Sequence, residues 1–395
     1  MNHESRPAAH CPTARARIIL AAGLAITSAG CPGTFDGTMN SSELLTDGNR
    51  DETLTSPLGK TAGEPNGSFD DPIVAVFDAA RAARLQGAVS RRGDLDVFQV
   101  NGLGAGDRVV IDCATPASAL DVSIAVFDDR QRLVMTNDDR GGSTDRFLDS
   151  FVDWIARHDA EPHYLVVTHA AFAASGRFTG NYTVDVTVTP GSIAPAPAPQ
   201  TLLLNFNGGL VQSDPLGTFD LDPFDAGRIA AAYAGRTTEL KNVIVDTMRQ
   251  NYERFNVDII TTDDPPPPSG TEFSTIHFGG FDPFAFGIAE QVDLYNADFC
   301  DDAVIFAESF EPRVFSSTPN VDELGIAIGN VAAHEAGHLL GLNHVTDDRA
   351  LMDDQSPADA FIVDQEFMQA PLSPDIMRIG TQDAVLLLNE TVGPR

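Results

Sequence analysis

The spacing of apolar residues changes part-way along this chain, and the change divides it. Between about Pro72 and Pro190 they come in short β-rich runs bounded by Gly, Asp or Pro: Asp96 to Val100, Arg108 to Ile111, Val122 to Phe127 and Tyr164 to Val167. Asn181 to Val188 alternates apolar and polar residues with a period of two, as a half-buried strand does. Several strands of this length at this spacing predict an all-β sandwich over 72–190.

Thr189 to Gln200 (TPGSIAPAPAPQ) then reads as a stiff, extended linker, and 191–200 mark the clearest boundary in the chain. Beyond it the period lengthens. Thr237 to Phe255 sets Leu240, Ile244, Met248 and Tyr252 four apart, which predicts an amphipathic helix. Thr201 to Phe206, Asn256 to Thr261, Thr275 to Phe278 and Ala303 to Phe306 read as strands. Gly325 to Ala332 is small and apolar, so a second helix can run through it into Ala333 and beyond. Thr381 to Asn389 reads as a short C-terminal helix with Thr381 as its N-cap. Residues 201–395 are therefore expected to form an α/β unit.

The N-terminal part carries no such pattern. Residues 1–31 read as an export signal: Arg6, Arg15 and Arg17, a short apolar run from Ile18 to Thr27, then small residues. The apolar run is shorter than the ~20 residues that a spanning helix needs. Ala29-Gly30-Cys31 resembles a bacterial lipobox, which would make Cys31 a lipidated N-terminus, although Ser28 stands where that motif usually has Leu. Residues 32–71 read as a disordered spacer.

Charge narrows the partners. There are 57 acidic residues against 25 basic ones, a net charge of −32, and the only lysines are Lys60 and Lys241. Such a surface repels nucleic acid and anionic lipid, which leaves an N-terminal lipid as the only expected membrane contact. The four cysteines, Cys11, Cys31, Cys113 and Cys300, define no disulfide framework.

The chemistry concentrates in Ala333 to His344 (AHEAGHLLGLNH). On a helix, His334 and His338 share one face, about 6 Å apart along the axis at ~1.5 Å per residue. Gly341 suits the left-handed conformation that ends a helix, so His344 can return as a third ligand. Three nitrogen ligands with one open position describe a catalytic zinc site rather than a structural one.

The string resembles the metzincin zinc-peptidase signature H-E-x-x-H-x-x-G-x-x-H, with Met352 in the place of the Met-turn methionine. The resemblance implies a metzincin-type catalytic domain over 201–395, a zinc endopeptidase activity with Glu335 as general base, and a site of the matrixin type, since Asp354 stands where some members have tyrosine. It also implies that substrate adds to an edge strand, for which Gly287 to Tyr295 is the candidate. Asp347, Asp348, Asp353 and Asp354 read as solvated loop acids, and His277 as structural.

The β-rich region resembles the bacterial pre-peptidase C-terminal domain, a jelly-roll-like module, through Gly93 to Phe98, Leu120 to Val122, Asn137 to Asp139 and Gly180 to Tyr182. Its Asp94, Asp96, Asp121, Asp138 and Asp139 are turn formers or, alternatively, calcium ligands. The expectation is thus a multidomain, monomeric, exported protein, either held in a bacterial cell envelope or secreted, that cleaves protein or peptide substrates. The alternative is a non-catalytic surface lipoprotein that binds a ligand through its sandwich and keeps zinc for structure.

Overall fold

The structure is a computed structural model that describes residues 22–25, 60–61, 66–116, 118–140, 146–213 and 216–395. Cys31 and most of the stretches read as an export signal and as a disordered spacer lie outside the described residues, but 66–71, expected to belong to the spacer, is folded onto the sandwich, with Asn66 fully buried. No helix among the described residues is long and apolar enough to cross a membrane.

The β-rich stretch forms two five-stranded sheets. One places Asp96–Val100, His163–His169, Val122–Phe127 and Leu133–Asn137 side by side; the other places Ala82–Val89, Gly180–Thr189, Arg108–Ala114 and Phe151–Ile155 side by side. Their inward residues make one core. Phe98, Ile124, Val126 and Leu165 come from the first sheet, and Ile111, Trp154, Tyr182 and Val186 from the second. The alternation of Gly180–Thr189 is what a strand with one buried and one solvated face should show.

Val122–Phe127 behaves differently, because every residue in it is buried. Its second face, with Ala125 and Phe127, packs beside Val97 and Val166 against Leu372 and Met377 from near the C-terminus. A strand covered on both sides reads as a continuous apolar run, as this one does. The two regions therefore share an interface. Arg132 bridges it, pairing with Asp128 at 2.7 Å and with Asp383 at 3.2 Å. The Arg157 guanidinium lies 4.3 Å from the Tyr295 ring centroid. The linker is also tied down: Ser192 N–H donates to the Gly106 carbonyl at 2.8 Å, and Ala198 N–H to the Thr391 carbonyl at 2.9 Å.

The C-terminal region is built on a six-stranded sheet. Val257–Thr261, Gln200–Asn205, Ser274–Phe278 and Asp302–Ile305 run parallel in that spatial order. Ala285–Ala289 follows antiparallel beyond Asp302–Ile305. Ala22–Ala25 pairs antiparallel with its outer edge, Ala22 opposite Ala289 and Ala25 opposite Ala285. The antiparallel strand thus ends at Ala289, and Glu290 to Asp301 is a connecting loop, so the edge expected over Gly287 to Tyr295 lies earlier than its sequence suggested.

Two helices pack together here. Thr237–Asn251 buries Leu240, Ile244 and Met248, the expected stripe. Val321–Leu339 is buried nearly all round and opens with a capping box, Asn320 accepting from the Asp322 and Glu323 amides while Glu323 accepts from the Asn320 amide. Tyr252 Oη donates to the Ala333 carbonyl at 2.9 Å, locking the two together at the start of the histidine motif. The C-terminal helix runs Ala384–Thr391 and is capped by Asp383 rather than Thr381, because the short strand Thr381–Asp383 delays its start to Ala384.

Candidate active site

His334 and His338 project from one face of Val321–Leu339, and His344 returns after the helix ends. Its end is set by Gly341, at φ +93°, with the Gly341 N–H donating to the His338 carbonyl and the Leu342 N–H to the Gly337 carbonyl. A Cβ at 341 would stand 2.8 Å from Leu294 Cα, so both the backbone angle and the neighbouring chain require glycine.

His338 Nε2 lies 3.1 Å from His334 Nε2 and 3.1 Å from His344 Nε2. The outer nitrogens of two rings are held by carbonyls, His334 Nδ1 by Leu351 at 2.8 Å and His338 Nδ1 by Leu342 at 2.7 Å. A carbonyl only accepts, so each Nδ1 carries the proton and each Nε2 presents its lone pair inward. His344 Nδ1 faces Asp354 Oδ2 at 3.6 Å, and Ser373 Oγ donates to that same oxygen at 2.7 Å. Burial depresses His334 to about 4, His344 to about 3, and His338 well below its usual value, so all three rings are neutral near pH 7.

Three lone pairs aimed at one point repel unless a cation lies among them. Nitrogens bound at ~2.0–2.1 Å to a tetrahedral zinc stand about 3.3 Å apart, close to the observed separation, and neutral imidazole is a preferred zinc donor. The residues present fit zinc. Among the described residues, these histidines are the only group of three or more His, Cys, Asp or Glu whose ligating atoms fall within 4.8 Å of one another.

Glu335 points to the adjoining face. Its side chain is fully buried, and burial raises its pKa well above the usual carboxylate range, an effect that the Ala289 backbone only partly offsets. It lies against Gly287 in Ala285–Ala289, where a Cβ would come within 2.7 Å of Oε1. Met352 lies beneath the helix, its Sδ 2.6 Å from where a Cβ on Gly337 would be.

This segment is similar to the matrixins. The family model described as matrixin, of the Peptidase_M10 type, matches residues 245–363, which span both ligating helix residues, Glu335, His344 and Met352. The match supports a zinc metallopeptidase. No curated protein matches the chain. Among solved structures, the chain resembles a zinc-dependent peptidase from Methanocorpusculum labreanum (12% identity, 42% of this chain and 93% of that one, TM-score 0.27). It also resembles the pre-peptidase C-terminal domain of a Bacillus anthracis collagenase (12% identity, 34% and 100%, TM-score 0.20). A third likeness is to a periplasmic inhibitor of g-type lysozyme from Aeromonas hydrophila (17% identity, 30% and 96%, TM-score 0.22). At these scores the structural likenesses carry no weight for fold or chemistry.

The matrixin-like motif is brought together as the sequence spacing requires, but two of the four acids nearby are not the solvated residues expected. Asp353 is buried and accepts from the Asp347 N–H at 3.0 Å and from Ser356 Oγ. Asp354 faces His344. Nothing local marks it, since the contact depends on how the turn folds back. His277 is structural, as expected, with Nδ1 3.0 Å from Asn205 Nδ2.

The five sandwich aspartates do not meet at one point. Asp94 accepts from Ser90 N–H and Oγ at 2.7 and 2.6 Å, a turn role, while Asp96 is held inside the sandwich by Asn66 and Tyr182. Asp121, Asp138 and Asp139 remain near one another, and burial together with mutual repulsion raises Asp138 to about 7 and Asp139 to about 6. Cys113 is free and buried, so it does not pair with Cys300.

Proposed function

We propose that this chain is an exported zinc endopeptidase that hydrolyses peptide bonds of extracellular or envelope proteins. The observation that carries the reading is the convergence of three neutral imidazole nitrogens beside a fully buried carboxyl. Zinc, when bound by His334, His338 and His344, supplies Lewis-acid polarisation of the scissile carbonyl and acidifies a water. Glu335 takes the proton that this water loses and delivers it to the departing amine. Its burial raises proton affinity, which suits a group that must hold a proton between the two transfers. The carbonyls of Leu351 and Leu342 fix two ring tautomers throughout.

Substrate would lie extended along Ala285–Ala289. The antiparallel pairing of Ala22–Ala25 on that strand supports this, because its outer edge accepts a strand in that direction. Export, with Cys31 lipidated or the chain plainly secreted, belongs to the same reading.

Casein hydrolysis by the full chain tests it, with and without a chelator. Glu335→Ala is expected to lower the rate by about 10²–10⁴-fold while zinc content stays at the wild-type level. Equal hydrolysis by the variant would remove Glu335 from the mechanism. Zinc bound with no hydrolysis in the wild type would favour the alternative, a lipoprotein that keeps the metal for structure.

A further inference from the structure

A cavity of about 640 Å³ opens between the sandwich and the loop that follows the edge strand. Met135, Asp138 and Phe172 line it from one side, Glu272, Phe299 and Asn343 from the other. No lysine, arginine or histidine lines it among the described residues. Unpaired polar atoms lie on its lining. Asn343 is 1% exposed and neither its amide oxygen nor its amide nitrogen has a hydrogen bond; Oδ1 of Asp138 is likewise buried and unpaired. Buried polar groups are nearly always satisfied in a native protein, so an amide with neither atom paired, on the lining of an acidic cavity, marks a place shaped for something that binds. Burial and the neighbouring Asp139 oppose ionisation of Asp138, and a cation entering the cavity would reverse that.

We infer that this cavity is a binding site for a basic side chain carried on a peptide, with an apolar neighbour. A guanidinium or ammonium group would donate to Asp138 and to Asn343 Oδ1, and Asn343 Nδ2 would donate to a peptide carbonyl. Phe172, 73% exposed at the rim, and Phe299 offer aromatic faces for the cation, and Met135 an apolar wall for its stem. Asn343 immediately precedes the ligand His344, and the loop lining the cavity leaves the edge strand at Ala289, so the site lies along the chain from both parts of the proposed centre. The inference rests on the peptidase reading, in which it becomes a specificity site for basic substrates.

The test measures binding without cleavage. Full-length Glu335→Ala is titrated with a fluorescein-labelled tetrapeptide holding phenylalanine and arginine between glycines, and with its citrulline counterpart, and anisotropy is read. The arginine peptide is expected to bind about tenfold tighter, with the difference shrinking at high salt. Asp138→Asn should remove most of that preference. Glu272→Gln with Asp375→Asn changes two exposed lining residues, so folding is not at issue, and should reduce the preference several-fold. Equal binding of the two peptides, or a preference untouched by all three substitutions, overturns the proposal. So does calcium binding abolished by Asp138→Asn in a chain that ignores the peptide. Casein cleavage by a wild type whose inactive form ignores arginine sinks this inference alone. Arginine-selective binding by a chain that never cleaves keeps the site and sinks the peptidase.

Discussion

The three histidines and the trio Asp121, Asp138 and Asp139 are both buried groups of titratable side chains, and they are organised in opposite ways. Two of the imidazoles are anchored by a carbonyl, and the third faces a carboxylate. Burial drives these rings toward the neutral form, which is also the form that ligates a metal. The aspartates are held less, the Asp138 carboxyl meeting only the backbone of its own residue and of Asp139. Oδ1 of Asp138 and Oδ1 of Asp139 are buried without partners, and burial drives them toward the protonated form, which cannot ligate. One cluster is preorganised for its ion, and the other carries a standing electrostatic cost that a ligand would relieve.

Removing a histidine should break the contrast most severely. His338→Ala takes away the ring that contacts both others, and we expect loss of stoichiometric zinc and of all chelator-sensitive hydrolysis, read by metal analysis beside the casein assay. Asp354→Asn tests anchoring alone. It keeps the shape and removes the charge facing His344, and zinc affinity is expected to fall about 10–100-fold, measured by competition with a chromogenic chelator. Unchanged affinity would reduce Asp354 to a partner of Ser373.

Asp138→Asn sharpens the other side of the contrast and is the smallest effect. The Asp138 carboxyl sits near 7 in the folded chain against 3.8 in a model peptide. Between those values the folded state holds more protons, so stability falls as pH rises from about 4 to 7. The asparagine variant escapes that loss. It should be more stable at pH 8 by about 1–2 kcal/mol, after discounting for partial exposure, and no more stable at pH 3. Thermal melts at the two pH values decide it, and a uniform shift at both would place the cause in packing.

The motif was legible because its geometry is local: a four-residue step on one helix, a glycine bend and a return of six residues need no knowledge of the rest of the chain. The strand runs were legible for the same reason. Other features depend on what folds against them. The continuous burial of Val122–Phe127 reflects a cover supplied by Leu372 and Met377, some 250 residues away, and the Asp354–His344 contact needs the turn after Met352 to close back. The C-terminal helix took Asp383 rather than Thr381 as its cap because the pairing of Thr381–Asp383 with Gln369–Pro371 holds the chain extended until Asp383, and the helix starts only at Ala384. Side-chain identity alone could not separate Asp94 and Asp96, committed to partners elsewhere in the sandwich, from Asp138, which meets only its own stretch of backbone.

The apolar cover on the sandwich has a practical meaning for anyone who dissects this protein. Trimming the chain at its proline-rich connector would strip Phe127, Val166, Leu372 and Met377 of their mutual shelter and leave an oily scar on both fragments. A fragment beginning at residue 201 would tend to clump, and its silence in an assay would say nothing about the metal chemistry.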